Sequence, residues 1–120
     1  VLITGSGTLT VVNSSGIACG GRELPVPALM VAGEVTLICD NITAALNADA
    51  GVSTAVLGGA LYAEFLYTSG GEVINAGGSL LARHLRDASR VTARDGMTLI
   101  DELGSEGAQI ILSGNLGIYT

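Results

Sequence analysis

Gly33-Glu-Val-Thr-Leu-Ile38 is the stretch that best indicates the fold, because a glycine leads directly into a run of β-branched and aliphatic residues. The same arrangement occurs at Gly7–Val12, Gly71–Asn75 and Gly107–Leu112. Glycine accepts backbone angles that other residues resist, and Val, Ile and Thr are enriched in strands. Each unit therefore predicts a turn that leads into a strand, and several units in one chain predict a sheet coiled or folded from short strands.

Glycine-led runs recur along the chain at comparable intervals. They begin at Gly7, Gly33, Gly51, Gly71 and Gly96, with spacings of 26, 18, 20 and 25 residues. A parallel β-helix needs roughly one coil for each such interval, with Gly, Asn and Ser at its corners. The spacing favours a mainly β fold that is either β-solenoid-like or a compact sheet assembly.

The opening of the chain resembles a known kind of repeat. Leu2–Val11 followed by Ser15–Gly21 is similar to the glycine-rich β-helix repeats of bacterial surface proteins and carbohydrate-binding-domain proteins, and so is the closing segment Gly117–Thr120. The resemblance implies an extracellular structural or adhesive role. It transfers no catalytic residue to this chain.

Composition indicates a thin, ring-poor core in one domain that spans residues 1–120. Apolar residues make up 48% of the chain, aromatic residues 3% and charged residues 13%, with no Trp. Soluble domains usually carry about 25% charged residues. A chain with so few charges fits a surface that is partly covered by copies of itself.

The charge balance argues against nucleic-acid and membrane partners. The formal net charge is −6, Lys is absent and all five basic residues are Arg. An acidic chain of this kind is a poor ligand for phosphate backbones and lacks the basic cluster that anionic lipids attract. The apolar run 51–67 has 17 residues and is interrupted by polar side chains, so it predicts core rather than a membrane-inserted segment.

The segment 79–90 has helical composition and predicts one short helix. Ser79 is a suitable N-cap, and Leu81, Leu85 and Ala88 would share one helical face. A helix here would favour an α+β fold, which is the alternative to a pure sheet assembly.

Four arginines follow one another at helical spacing in this region. Arg83, Arg86, Arg90 and Arg94 are separated by three, four and four residues, so a helix would align them as a basic stripe. Such a stripe would suit an anion or the acidic surface of a sister subunit. The alternative is an ordinary solvated face.

Cys19 and Cys39 lie 20 residues apart and have two interpretations. They are either buried thiols or, in an oxidising compartment, a disulfide. With His84 as the only histidine they cannot complete a structural zinc site, and no metal is predicted. No cofactor is predicted either, because Val1–Gly7 lacks the third glycine and the following helix of a dinucleotide fingerprint.

Two further groups of side chains are candidates for function. Tyr62, Phe65 and Tyr67 would form an aromatic contact patch, suited to a sugar or a subunit, unless they fill the core. Glu64 in its apolar run and His84 are the candidates for acid–base chemistry. Asp101 and Glu102 are adjacent, so on a regular strand they would face opposite sides.

These features together predict a non-catalytic structural protein that self-associates in an extracellular filament, surface layer or virion shell. Its expected partners are copies of itself. A carbohydrate-binding or adhesin module with a glycan partner is one alternative. A small α+β enzyme that uses Glu64 or His84 is another.

Overall fold

The computed structural model describes residues 1–12, 16–21, 27–46, 51–104 and 107–118, and this part of the chain is mainly β. Its strands are β1 (Leu2–Ile3), β2 (Ser6–Val11), β3 (Ile17–Gly21), β4 (Leu29–Val31), β5 (Glu34–Leu46), β6 (Val52–Val56), β7 (Ala60–Tyr67), β8 (Glu72–Arg86), β9 (Arg90–Gly104), β10 (Gln109–Leu112) and β11 (Asn115–Ile118).

The described strands pair in parallel and form one curled sheet. A long strand such as β8 pairs with β6 at its start and with β7 further along, so its parts belong to different lateral rows. The first row contains β1, β4, β6, the starts of β8 and β9, and β10. The second row contains β2, the starts of β5 and β7, the middles of β8 and β9, and β11. The third row contains β3 and the ends of β5, β7, β8 and β9.

The core lies inside the curl and is built from aliphatic side chains. Leu37, Leu61 and Leu80 occupy neighbouring register positions in the second row, and each is at least 98% buried. Leu66 and Leu85 repeat the pattern in the third row. The buried residues include no aromatic ring, so the expectation of a ring-poor core is confirmed for the described residues.

A column of glycines marks the corner between the first and second rows. Its members lie on successive levels of the sheet, and a Cβ added to any of the last four would come within about 3.0 Å of the backbone of the glycine before it. The column consists of Gly5, Gly33, Gly58, Gly78 and Gly96. Gly51 and Gly71 belong to a different corner, where the Glu72 amide donates to the Gly51 carbonyl. The intervals counted along the sequence therefore combined two corners.

Asn75 is a fully buried polar residue next to this corner. Its Nδ2 donates to the carbonyl oxygens of Gly78 and Met97 and to Thr98 Oγ1, at 3.1, 2.9 and 2.9 Å. Its Oδ1 accepts from the amides of Gly77 and Gly78. One side chain thus satisfies the backbone of its own bend and ties β8 to β9.

The predicted helix at 79–90 is wrong, and so is the α+β alternative, because the described residues contain no helix. The segment instead forms the end of β8, a turn and the start of β9. Strands on both sides supply its backbone hydrogen bonds, and Leu80, Ala82 and Leu85 are buried against the core. Tertiary pairing therefore overrides the local helix preference. Nor does the described chain contain a helix long and apolar enough to cross a membrane.

Substitution of Gly96 by alanine is expected to destabilise the fold. Gly96 has φ +75°, and an added Cβ would lie 2.0 Å from the Gly78 carbonyl oxygen. The left-handed backbone alone costs a side-chain-bearing residue about 1–2 kcal/mol, and the forced backbone shift adds about 1–3 kcal/mol. Gly107→Ala is the matched control, since Gly107 has φ +71° and nothing within 4 Å. Equal losses in free energy of unfolding, measured by urea denaturation, would contradict the close-packed corner.

Substitution of Asn75 by aspartate tests the buried amide. The aspartate cannot donate to the Gly78 and Met97 carbonyls and places its oxygen against theirs, so we expect a loss of about 3 kcal/mol or more. Asn41→Asp makes the same chemical change at an exposed position on β5 and is expected to alter stability by less than about 0.5 kcal/mol. Thermal unfolding followed by circular dichroism compares the two, and similar melting temperatures would contradict a structural role for Asn75.

Candidate functional site

The strands β7, β8 and β9 share a bend between the second and third rows. In the second row of these strands, buried and unburied residues alternate at 61–63, 78–82 and 98–100, and the next two positions of each strand are both unburied. These paired positions lie at matching register positions on the three strands, and we call them the bend cluster: Glu64 and Phe65, Arg83 and His84, Asp101 and Glu102. Parallel in-register pairing therefore brings five charged or titratable side chains and one aromatic ring together at this bend.

Arg83 lies between two carboxylates of the bend cluster, those of Glu64 and Asp101. Its Nη1 donates to Asp101 Oδ2 at 2.9 Å, and its Nε lies 3.6 Å from Glu64 Oε2. The side chains of Arg83 and Glu64 are about half exposed. Exposed pairs of this kind contribute only a few tenths of a kcal/mol each, up to about 1 kcal/mol.

His84 lies between the carboxylates of Glu64 and Glu102. Its ring stacks on Phe65 with centroids 4.6 Å apart and planes 12° from parallel. Its Nε2 lies 3.9 Å from Glu64 Oε1 and its Nδ1 lies 3.2 Å from Glu102 Oε2. The Nδ1 separation is within ion-pair range, but the geometry is not that of a hydrogen bond, and we treat the contact as electrostatic.

Glu102 is the acidic partner of Arg86 in the bend cluster. Arg86 Nη2 donates to Glu102 Oε1 at 2.9 Å. This hydrogen bond and the charge of Arg86 lower the pKa of Glu102, and His84 adds to the effect. The carboxylate therefore stays ionised further into the acid range than an isolated glutamate.

The bend explains why sequence reasoning missed Asp101 and Glu102 as partners. Adjacent residues on a regular strand point to opposite faces, but the bend turns both outward. Asp101 pairs with Arg83, and Glu102 pairs with Arg86 and His84. The available signal was the charge order: Glu64, Arg83 and Asp101 follow one another at 19 and 18 residues, the interval between neighbouring levels.

The four arginines do not form a single basic stripe, because the helix that would align them is absent. Arg83 lies in the second row and Arg86 in the third, and both are engaged by acidic residues. Arg90 begins β9 in the first row, where its Nε donates to Gln109 Oε1 at 2.8 Å. Arg94 is exposed at the corner that follows. Anion docking or subunit contact by any one of them stays a prediction.

The three aromatic residues are exposed rather than packed in the core. Tyr62, Phe65 and Tyr67 are 38%, 43% and 43% exposed. Phe65 and Tyr67 share the outer side of the third row, whereas Tyr62 lies across the bend in the second row. The predicted patch is therefore divided into a pair and a single ring.

Cys19 and Cys39 are both buried free thiols, so the disulfide alternative is not realised. In the register, Cys19 lies beside Ala44 and Cys39 beside Ala63. The Cys39 thiol instead donates to the Asn41 carbonyl at 3.1 Å. Burial raises the pKa of the Cys19 thiol, which favours the protonated form.

The side chains of Glu64 and His84 are 48% and 28% exposed. A depression of about 120 Å³ lies elsewhere, lined by Gly51, Glu72, Ser89 and Arg90. Within the described ranges no group of three or more His, Cys, Asp or Glu side chains is arranged to hold a metal ion. The bend cluster can thus form ion pairs and present rings to a partner.

Comparison of the chain with protein-family models, with curated proteins and with solved structures gave no match in any of the three. The geometry of the described residues is therefore the basis for a functional proposal.

Loss of the Arg86 guanidinium is expected to raise the pKa of Glu102 toward its ordinary value. In Arg86→Gln the charge-assisted hydrogen bond disappears, and the side-chain carboxyl ¹³C shift should report the change across an acid titration. Arg83→Gln is the control, because Arg83 pairs with Asp101 and Glu64 instead. Since folding lowers the pKa of Glu102, the interaction stabilises the fold above the unfolded pKa and is lost as pH falls through the folded one. A larger shift in Arg83→Gln than in Arg86→Gln would contradict this assignment.

Proposed function

We propose that this is a non-catalytic structural protein whose copies associate through the two terminal edges of the curled sheet. One observation carries the proposal. The edge strands β1, β2 and β10 contain no charged side chain, and they expose aliphatic residues that are in register with buried core residues. We further propose that the three rows form a β-solenoid. In support, pairing joins residues 18–20 positions apart from β6 to β11, and the pairs among β1 to β7 join residues 24–28 positions apart.

At the N-terminal edge, β1 pairs with β4 and β2 with β5, and neither has a second partner among the described strands. Leu9 lies in register with Leu37, which is fully buried, yet Leu9 itself is 45% exposed. Val1 is 60% exposed. The column of core residues that contains Leu37 thus ends at Leu9, whose side chain no further described strand covers.

The C-terminal edge has the same character. Within the described part β10 pairs with β9 and with no other strand. Ile110 and Leu112 lie in register with the buried residues Val91 and Ala93, yet they are 40% and 58% exposed. Both ends therefore expose apolar surface of the kind that marks a contact between proteins.

The edge strands β1, β2, β10 and β11 lack the protection that natural sheets use against edge-to-edge pairing. Segments 1–12 and 107–118 contain no charged side chain and no proline. Charged side chains and prolines are the usual devices that prevent open edge strands from pairing with other chains. Their absence favours edges that are meant to be covered.

An extracellular filament, surface layer or virion shell is the setting we propose for such an assembly. The low charge of the chain and the resemblance of its opening segment to surface-protein repeats support this setting. A carbohydrate-binding or adhesin module is a second candidate, supported by the exposed rings of Phe65 and Tyr67 on one outer surface. The separation of Tyr62 from that pair and the absence of Trp make it the weaker one.

Charged substitutions at the two edges test the proposal. We expect the unmodified chain to associate with rising concentration in light scattering, and Leu9→Asp and Leu112→Asp each to remain monomeric because an unpaired charge would be buried in the contact. Leu57→Asp is the matched control, since Leu57 is 47% exposed but lies on an inner level of the sheet. Far-UV circular dichroism checks that each variant is folded, and electron microscopy distinguishes ordered assemblies from amorphous aggregates. A monomeric unmodified chain at high concentration, or equal loss in Leu57→Asp, would overturn the proposal.

A further inference from the structure

We infer that the copies stack head to tail in one register, with residues 110–114 of one copy placed against residues 1–5 of the next and Gly114 beside Gly5. This inference rests on the proposed self-association and specifies its partner surface and alignment.

The direction follows from the strands. The described pairs are parallel, so the edge formed by β10 and β11 and the edge formed by β1 and β2 run in the same sense. Joining unlike edges continues the parallel sheet from one copy into the next. A two-fold axis would pair an edge with the same edge of another copy and make the strands antiparallel. Contact between the β10/β11 edge of one copy and the β1/β2 edge of the next keeps them parallel and is therefore favoured. Such a head-to-tail contact can be repeated without limit.

The register follows from two matching segments. Ile110-Ile-Leu-Ser-Gly-Asn-Leu-Gly-Ile118 and Val1-Leu-Ile-Thr-Gly-Ser-Gly-Thr-Leu9 agree in residue class at seven of their nine positions. Both begin with three aliphatic residues, continue with a hydroxyl residue, a glycine and a small polar residue, and end with an aliphatic residue. Because neighbouring levels of the sheet stack like positions on like, the match up to the glycine corner places residues 110–114 against residues 1–5.

In this register the uncovered core positions cover one another. Leu112 meets Ile3, and both lie in register with residues that are completely buried, Ala93 and Val31. In the second row, Leu116 continues the column that begins at Leu9, because the register runs from Leu9 through Leu37, Leu61, Leu80 and Thr98 to Leu116. The side chains facing inward in one copy therefore face inward in the next.

The glycine corner also continues through the contact. Gly114 follows Gly96 in register, and a Cβ on Gly114 would lie 3.0 Å from the Asp95 backbone. Gly5 has φ +111° and nothing within 4 Å on its open side. The next copy can thus bring its corner as close to Gly5 as Gly78 lies to Gly96.

Disulfide trapping tests the register on the full chain. In the predicted contact, Thr4 of one copy lies beside Ser113 of the next, on strands about 4.8 Å apart, which suits a disulfide between Cα atoms about 4.4–6.8 Å apart. Thr4→Cys and Ser113→Cys proteins are mixed and oxidised. We expect a cross-linked dimer in the mixture, little in either variant alone, and a ladder of multimers from the double variant. The unmodified chain gives the background from Cys19 and Cys39.

Gln109→Cys mixed with Thr4→Cys is the register control. It lies four residues from Ser113, an offset of about 13 Å along a strand, and should give about tenfold less product because that distance exceeds disulfide reach. Equal cross-linking by Gln109→Cys would refute a defined register, and efficient dimers of Ser113→Cys alone would refute the head-to-tail direction. If light scattering shows association but no cross-link forms, this inference fails while the proposed function stands. A monomeric unmodified chain would remove both.

Discussion

Parallel, in-register pairing of the chain with itself is the constraint on which the rest of this structure depends. Each level of the sheet obtains its backbone hydrogen bonds from the levels before and after it. Like side chains therefore stack on like, which explains the buried leucine columns, the glycine corner and the bend cluster together. The same rule explains the uncovered ends, because the first and last levels each lack one neighbour among the described strands.

The corners show how little space this arrangement leaves. At Gly96 the neighbouring backbone occupies the place of a side chain, and at Asn75 one buried amide satisfies three acceptors and two amides. The bends therefore determine the residue type more strictly than the strands do. Between the bends, any aliphatic residue of suitable volume can fill the core.

Glycine-led apolar runs were sufficient to predict a mainly β chain, and composition was sufficient to predict a core without rings. The helix at 79–90 was predicted wrongly because capping and spacing are local signals, whereas the strand is stabilised by β7 and β9, which sequence alone does not place beside it. The arginine stripe failed with the helix. The bend cluster was missed because strand alternation hides a bend, and only the interval between levels brings Glu64, Arg83 and Asp101 together.

The bend cluster lies on the flank of the curl, between the second and third rows, and its members on β7 and β8 belong to inner levels of the sheet. Growth through the ends would therefore leave Phe65, Tyr67 and the paired charges beside them accessible on every copy. A fibre built in this way becomes a regular scaffold that repeats one weak contact surface along its length. Multivalent attachment of this kind raises the overall avidity far above the affinity of a single site, without any new contact.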